Sequence, residues 1–356
     1  MAWTEPCVVI DRTHLGRRAS GMERITRDLF SPETLKPLRV QGSRFGAGRL
    51  TTMLRQVVLN PLDALRHPRT VWIFSGFPPS PAFCRLAHRS VLYVHDLFLI
   101  ERAADLNRAG RYYMAPSFRA ALRRFRWFLA NSATTAERLR RHIGPSASVL
   151  LYRPPARDTL GLADLARPRR DAAAGPLKIG MIGTVEPRKN YGAALAIRAA
   201  LAARTGRPVE LHVIGRKGWG PDAALLAQER DVHTHGFVED QAVPGLVAEW
   251  DLFLSTSHDE GLGLPLLEAQ HAGLPIVAPD IPVFREVLGE SATLINPAAP
   301  DEAAERIEVI LRGPDARDRA REAGRLNIAR WNRLAADDHA AVLDLLSTLL
   351  ATLDKA

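Results

Sequence analysis

The chain has 356 residues, which is room for two domains of ordinary size rather than one hydrophobic core. Its residues are 46% apolar and 24% charged, the balance of a water-soluble globular protein, and no apolar run reaches the roughly 18–20 residues of a membrane span. A formal charge of +9 attracts polyanions or simply marks an arginine- and alanine-rich composition, while Cys7 and Cys84, without C-x-x-C spacing, support neither a disulfide framework nor a zinc finger.

No basic region precedes the short apolar run Cys7 to Ile10, so no secretory leader is read and cytoplasm is the expected compartment. The chain then opens with a strand, "CVVID", a loop, "RTHLGRRAS", and a helix, "GMERITRDLF", whose Met22, Ile25 and Leu29 recur at helical spacing. Ser20 and Glu23 have the spacing of a capping box at its start. "TVWIFSG" and "SVLYVHDL" read as buried strands, and strand alternating with helix implies a parallel sheet. Residues 118–144 combine arginines with Phe118, Leu122, Phe125, Trp127 and Phe128. A basic, aromatic helix of that kind either lies on anionic lipid or packs in the core with a solvated arginine face.

Residues 151–176 are rich in Pro, Arg and Ala and carry no sustained period, so the linker is set at 161–176, after a first domain of 1–160. The alternation restarts with strand "LKIGMIG", loop "TVEPRKN" and helix "YGAALAIRAALAART". Then come strand "PVELHVIG", strand "VHTHGFV", helix "QAVPGLVAEW", strand "DLFLSTS" and strand "LPIVAPD". The second domain is expected at 177–330, and a last helix at 331–356 either packs back on the first domain or is an ordinary core helix.

Between the last two of these strands lies "HDEGLGLPLLEAQHAG", where Pro265 suits the first turn of a helix and Gly273 its left-handed end. Glu260 then lies in the loop and Glu268 one turn into the helix. Gly261, Leu262, Gly263 and Leu264 bring backbone amides to the helix N-terminus, a ready anion site. Two acceptor-only carboxylates flanking an anion fit the hydroxyls of a sugar or ribose, although each is also an ordinary loop or first-turn acid. Arg188 and Lys189, after a strand and before a helix, face the carboxyl edge of the sheet, where two cations can neutralise a diphosphate or serve as a solvated basic loop.

Taken together and in order, "GTVEPRKN", "GFVEDQAVPGLVAEWDLFLSTSHDEG" and "EGLGLPLLE" resemble the retaining glycosyltransferases of family 4, the glycosyl transferases group 1. The likeness covers most of the chain and is similar in kind to bacterial polysaccharide mannosyltransferases. It implies an α/β fold of the GT-B type, two Rossmann-like domains with parallel sheets facing across a cleft. It also implies a hexosyltransferase using a nucleotide-diphosphate sugar, with mannose from GDP-mannose the first guess, and a glycan or lipid-linked glycan acceptor. By resemblance Arg188 and Lys189 hold the diphosphate, Glu260 the transferred sugar, Glu268 the ribose and Val238 the nucleobase. Gly21, Gly183 and the amides of Gly261, Leu262, Gly263 and Leu264 belong to the donor, and His95 to the reacting sugar.

The sequence has no Asp-x-Asp triplet, so neither metal nor cofactor is expected. Peripheral attachment to an anionic membrane surface at the inner face of the plasma membrane follows from the acceptor class. Dispersed arginines without a recognition motif leave nucleic acid outside the expected partners. A nucleotide-sugar epimerase of the same architecture, or a non-catalytic sugar-nucleotide-binding relative, is the alternative.

Overall fold

The computed structural model describes residues 5–16, 21–43, 48–102, 106, 108–165, 175–313 and 315–355. Ser20, and with it the proposed capping box, lies outside the described residues, as do 166–174 of the expected linker.

Two compact units divide the chain, one of Met1–Pro155 with Arg333–Ala356 and the other of Ala156–Asn332. The first contains β1 (Cys7–Ile10), α1 (Gly21–Leu29), β2 (Val40–Gly42), α2 (Arg49–Leu54), α3 (Asn60–Arg66), β3 (Thr70–Phe74) and β4 (Ser90–Val94). It continues with α4 (Phe98–Glu101), α5 (Ala115–Arg124), β5 (Trp127–Ala130), α6 (Ala133–Arg140) and β6 (Ser148–Leu151). These strands form one parallel sheet of order β2-β1-β3-β4-β5-β6. β1, β3 and β4 are buried along their whole length, as strands covered on both faces must be.

The second unit runs β7 (Leu177–Ile182), α7 (Tyr191–Thr205), β8 (Val209–Ile214), α8 (Asp222–Gln228), β9 (Val232–Gly236), α9 (Val243–Val247) and β10 (Leu252–Leu254). After these come α10 (Leu264–His271), β11 (Ile276–Pro279), α11 (Pro282–Leu288), β12 (Thr293–Ile295) and α12 (Pro300–Arg312). α13 (Ala316–Asp354) begins here and ends among the residues of the first unit. The sheet is parallel, in the order β12-β11-β10-β7-β8-β9. Chain order therefore reverses between β7 and β10, the neighbours whose carboxyl ends splay apart to leave a crevice in doubly wound folds. Helix α7 buries Ala194, Ile197 and Leu201 on one stripe against this sheet, the spacing of a helix face.

Three segments differ from the sequence reading. The stretch 118–144 is not one amphipathic helix: Phe118 and Leu122 are buried on α5, Phe125 is buried beyond its end, and Phe128 is buried in β5. Phe118, Phe125 and Phe128 belong to the first unit's core, and Trp127 is half-buried at the start of β5. Residues 156–165 join the second unit, where Ala156, Leu160 and Leu162 enter its core and Asp158 accepts the amides of Leu162 and Ala163. In the first unit Arg153 pairs with Asp338 at 2.8 Å and the Tyr152 hydroxyl lies 3.1 Å from His339, both on α13.

The third difference is the stretch from α2 through a π-helical turn, Arg55–Leu59, to α3. Its inward face mixes polar and small apolar residues: Thr52, Gln56 and Asn60 are buried with Pro61 and Ala64, Asn60 donating to Asp11 at 3.0 Å and the Tyr113 hydroxyl to Gln56 at 2.9 Å. Its outward face carries Leu50, Met53, Leu54, Val57, Val58, Leu62 and Leu65, all exposed.

Candidate active site

The loop after β7 starts at Gly183, whose φ of 156° few side chains adopt. An added Cβ there would come within 3.0 Å of the Lys189 side chain. Pro187–Lys189 make one 3-10 turn, and Asn190, in the left-handed region, redirects the chain into α7. The Tyr191 hydroxyl closes the loop by donating to the Gly183 carbonyl at 3.0 Å.

The loop after β10 is tied to this one through its backbone. The His258 amide donates to the Arg188 carbonyl at 2.9 Å, and the Thr256 hydroxyl lies 2.9 Å from the carbonyls of both Lys189 and Asn190. Adjacency of β7 and β10 therefore places Arg188, Lys189 and Glu260 together at the strand-order reversal. Glu260 is buried and accepts from Arg188, from Lys189 at 2.5 Å and from the Ser257 hydroxyl at 2.8 Å. Burial alone would push its carboxyl up, but the Lys189 and Arg188 charges and these hydrogen bonds overcome that and hold it at about 2. It is an ionised acceptor at any physiological pH. Arg188 has a second counter-ion in Glu186, so two cations and two carboxylates form one neutral, mostly buried group.

Glu186 and Ser257 were not singled out by the sequence. Each lies within a few residues of a residue that was, two before Arg188 and three before Glu260, and only the paired loops bring them in. Beside the cluster, Asn190, Ser257, His258, Asp280 and Asn296 help line an open cavity of about 630 Å³ at the same edge of the sheet.

Helix α10 starts at Leu264 and holds Pro265 in its first turn. Gly263, at φ 89°, is its N-cap, and an added Cβ would stand 2.7 Å from the Phe284 ring. The Leu262 side chain is buried in the core, and the half-buried Leu264 packs partly against it. Glu268 is buried on α10, and Gly273 ends the helix region at φ 63°. Val238 packs partly against the same core, and the exposed Phe237 ring beside it is capped by the Arg216 guanidinium, 4.6 Å from its centroid.

Gly21 and His95 belong to the first unit, Gly21 as the first residue of α1 and His95 just beyond β4. His95 Nε2 donates to the Ser75 carbonyl at 2.7 Å, which fixes the proton on Nε2 and leaves Nδ1 as an acceptor. Burial lowers its pKa to about 4 against the opposing pull of that carbonyl, so the ring is neutral at neutral pH.

Two parallel doubly wound sheets, one of them with charged loops meeting at its strand-order reversal, define a GT-B fold. Residues 164–327, most of the second unit, match the family model described as glycosyl transferases group 1. Over 154 residues the chain is 32% identical to the serotype-specific mannosyltransferase WbdA of Escherichia coli, covering 42% of this chain and 19% of that protein. Over 121 residues it is 34% identical to the O-antigen chain mannosyltransferase B of the same organism, covering 33% of this chain and 32% of that one. The chain thus spans a third or less of these curated relatives. In three dimensions it is similar to Anabaena Alr3699/HepE, solved in complex with UDP and glucose, at a TM-score of 0.68 and 16% identity. That likeness covers 97% of this chain and all of the other.

Proposed function

We propose that the protein is a hexosyltransferase that moves a hexose from a nucleotide-diphosphate sugar to a glycan or lipid-linked glycan in cell-surface polysaccharide synthesis. Mannose from GDP-mannose is the first donor to test, since the relatives named above are called mannosyltransferases. The observation that supports this reading most directly is the cluster of Arg188, Lys189 and Glu260 at the reversal point of the second sheet.

In this reading a donor diphosphate takes Arg188 and Lys189 from their carboxylate partners, and the first amides of α10 add a helix N-terminus to its charge. Glu260, released from the cations but still ionised, accepts hydroxyls of the transferred sugar, and Glu268 accepts those of the ribose. As the bond from the anomeric carbon to the diphosphate oxygen breaks, the bond to the acceptor oxygen forms on the same face. The departing oxygen takes the acceptor's proton, so configuration is retained without a covalent enzyme intermediate. Two cations at the leaving group replace a divalent clamp, which makes the transfer metal-independent. His95 is kept as a candidate for the reacting sugar on the family resemblance.

Peripheral attachment to an anionic membrane surface belongs to the same reading. Among the described residues no helix is long and apolar enough to cross a membrane. Phe118, Leu122, Phe125 and Phe128 are buried, so the surface proposed to meet lipid is the exposed apolar face of α2 and α3.

Turnover of the Arg188→Ala, Lys189→Ala double variant tests the assignment. Each lost leaving-group donor costs roughly 2.7–4 kcal/mol of transition-state stabilisation, so kcat should fall by several decades. Unchanged turnover would mean that the diphosphate binds elsewhere. Consumption of donor without any acceptor, giving an isomeric nucleotide sugar, would favour the epimerase alternative.

A further inference from the structure

A second group of chemistry-bearing side chains lies on β8 and β9, away from the loops that carry Arg188 and Glu260. His212 and His233 are register partners on these neighbouring parallel strands. Glu210 precedes His212 by two residues and His235 follows His233 by two, so the alternation of a strand puts all four on one face. The opposite face, with Leu211 and Val213, is covered by the apolar core around α7.

The side chains on the polar face are in contact. His212 Nε2 lies 3.2 Å from Glu210 Oε2, and His233 Nε2 lies 3.9 Å from the same oxygen. One ligand atom from each of Glu210, His212 and His233 falls within 4.8 Å of the others. The His212 ring stacks at 4.7 Å on His233 and at 5.4 Å on His235.

We propose that Glu210, His212 and His233 form a binding site for a divalent ion of the zinc class. Two imidazoles and a carboxylate are the donor set of a borderline ion such as Zn²⁺, Co²⁺ or Ni²⁺, and not of Mg²⁺ or Ca²⁺, which take oxygen ligands. Ligand bonds of about 2.0–2.2 Å around a tetrahedral ion place neighbouring donors roughly 3.4 Å apart. The observed separations need only small side-chain rotations to reach that value, and a fourth position is left for water.

The His212–His235 contact is the second observation that points to an ion. Before binding, His212 Nε2–H donates to Glu210, so its Nδ1 accepts from His235 Nε2–H across their 3.1 Å contact. When Nε2 turns to a metal, the His212 proton sits on Nδ1 and His235 Nε2 becomes its acceptor, with the His235 proton on its own Nδ1. Both rings stay neutral and no net proton is released. A metal-bound histidine characteristically needs such a partner on its other nitrogen, and His235 provides it. Occupancy would pin the edge strand β9 to β8, immediately before Gly236 and the loop through Phe237 and Val238.

Isothermal titration of the full chain with ZnCl₂ at mildly alkaline pH should show one saturable site, no response to MgCl₂, and a rise in thermal stability with zinc. His233 is exposed, so His233→Ala should fold normally and abolish the site. His235→Ala, which removes only the orienting partner, should keep the stoichiometry and weaken binding about 10–100-fold. Co²⁺ should give the intense visible absorption of a four-coordinate ion. Absence of saturable zinc uptake, or uptake undiminished in His233→Ala, would overturn the proposal. So would uptake that survives His233→Ala but falls in His142→Ala, since His142 and Glu101 form a separate pair 3.1 Å apart.

Discussion

At Glu260 two large effects oppose each other, and the pairing wins. Burial disfavours a charged carboxyl, yet Lys189, Arg188 and the hydrogen bonds take it from 4.5 to about 2. A carboxyl whose folded pKa lies below its unfolded one stabilises the fold above the unfolded value and loses that contribution as pH falls towards the folded value. The window is therefore about pH 4.5 to 2, and the contribution is about 3 kcal/mol by the conversion of pKa difference to free energy. Glu260→Gln should lower the urea stability of the protein by an amount of that order at neutral pH, the gap to wild type closing as the solution is acidified through the window. A gap that does not change with pH would show that lost packing, and not lost charge, is what the variant measures. Glu260, Arg188 and Lys189 were legible in the sequence because strand, loop and helix signals placed both loops at one sheet edge. Glu186 and Ser257 were not, because an acid or a hydroxyl in a loop has no local mark of its tertiary partner.

Among the elements, legibility followed length and period. β7, β8 and α7 are long, bounded by clear turn signals, and were read nearly residue by residue. β2, β6 and β12 were missed; they have three or four residues, lie at sheet edges and are mostly half-buried, which leaves too short a pattern to recognise. In 118–144 the even spread of arginine and aromatic residues hides the change of period, and β5, four residues long, has no turn signal to set it apart from the helix before it. α2 and α3 lack the usual inward apolar stripe that marks a helix: their large apolar residues face outward, with Leu50 84% and Leu65 60% exposed, while Gln56 and Asn60 face inward. An outward apolar stripe with Arg55 and Arg66 along it suits the boundary between anionic headgroups and acyl chains. The protein should co-sediment with vesicles containing anionic lipid and not with neutral ones, and Leu54→Glu with Leu65→Glu should release it without altering donor binding. Equal sedimentation of wild type and this double variant would remove the stripe from any role in attachment.

At the scale of the whole molecule, the charge and the site make different demands on a ligand. A net charge of +9 attracts any polyanion and is screened by salt, whereas the cluster after β7 and β10 is neutral within itself and gives up its cations only to a ligand that also satisfies Glu260. A bare diphosphate should therefore gain less than a nucleotide sugar, whose hydroxyls replace the partners that Glu260 loses. This predicts an order in a thermal-shift series at physiological salt: inorganic diphosphate least, a nucleoside diphosphate more, the matching nucleotide sugar most. At a hundred times its dissociation constant a ligand adds about 2.7 kcal/mol, a rise of roughly 5–10 °C for a unit of this size. EDTA should leave the order of the series unchanged, even where stripping zinc from β8 and β9 lowers the starting melting temperature, because that site shares no residue with the cluster of Arg188, Lys189 and Glu260. If every diphosphate shifted the melting temperature equally and salt erased all three responses, the net charge would be the ligand's only attraction. A series in which GDP compounds stand above UDP compounds would instead identify the base that the protein prefers, and with it the donor to use in the search for an acceptor.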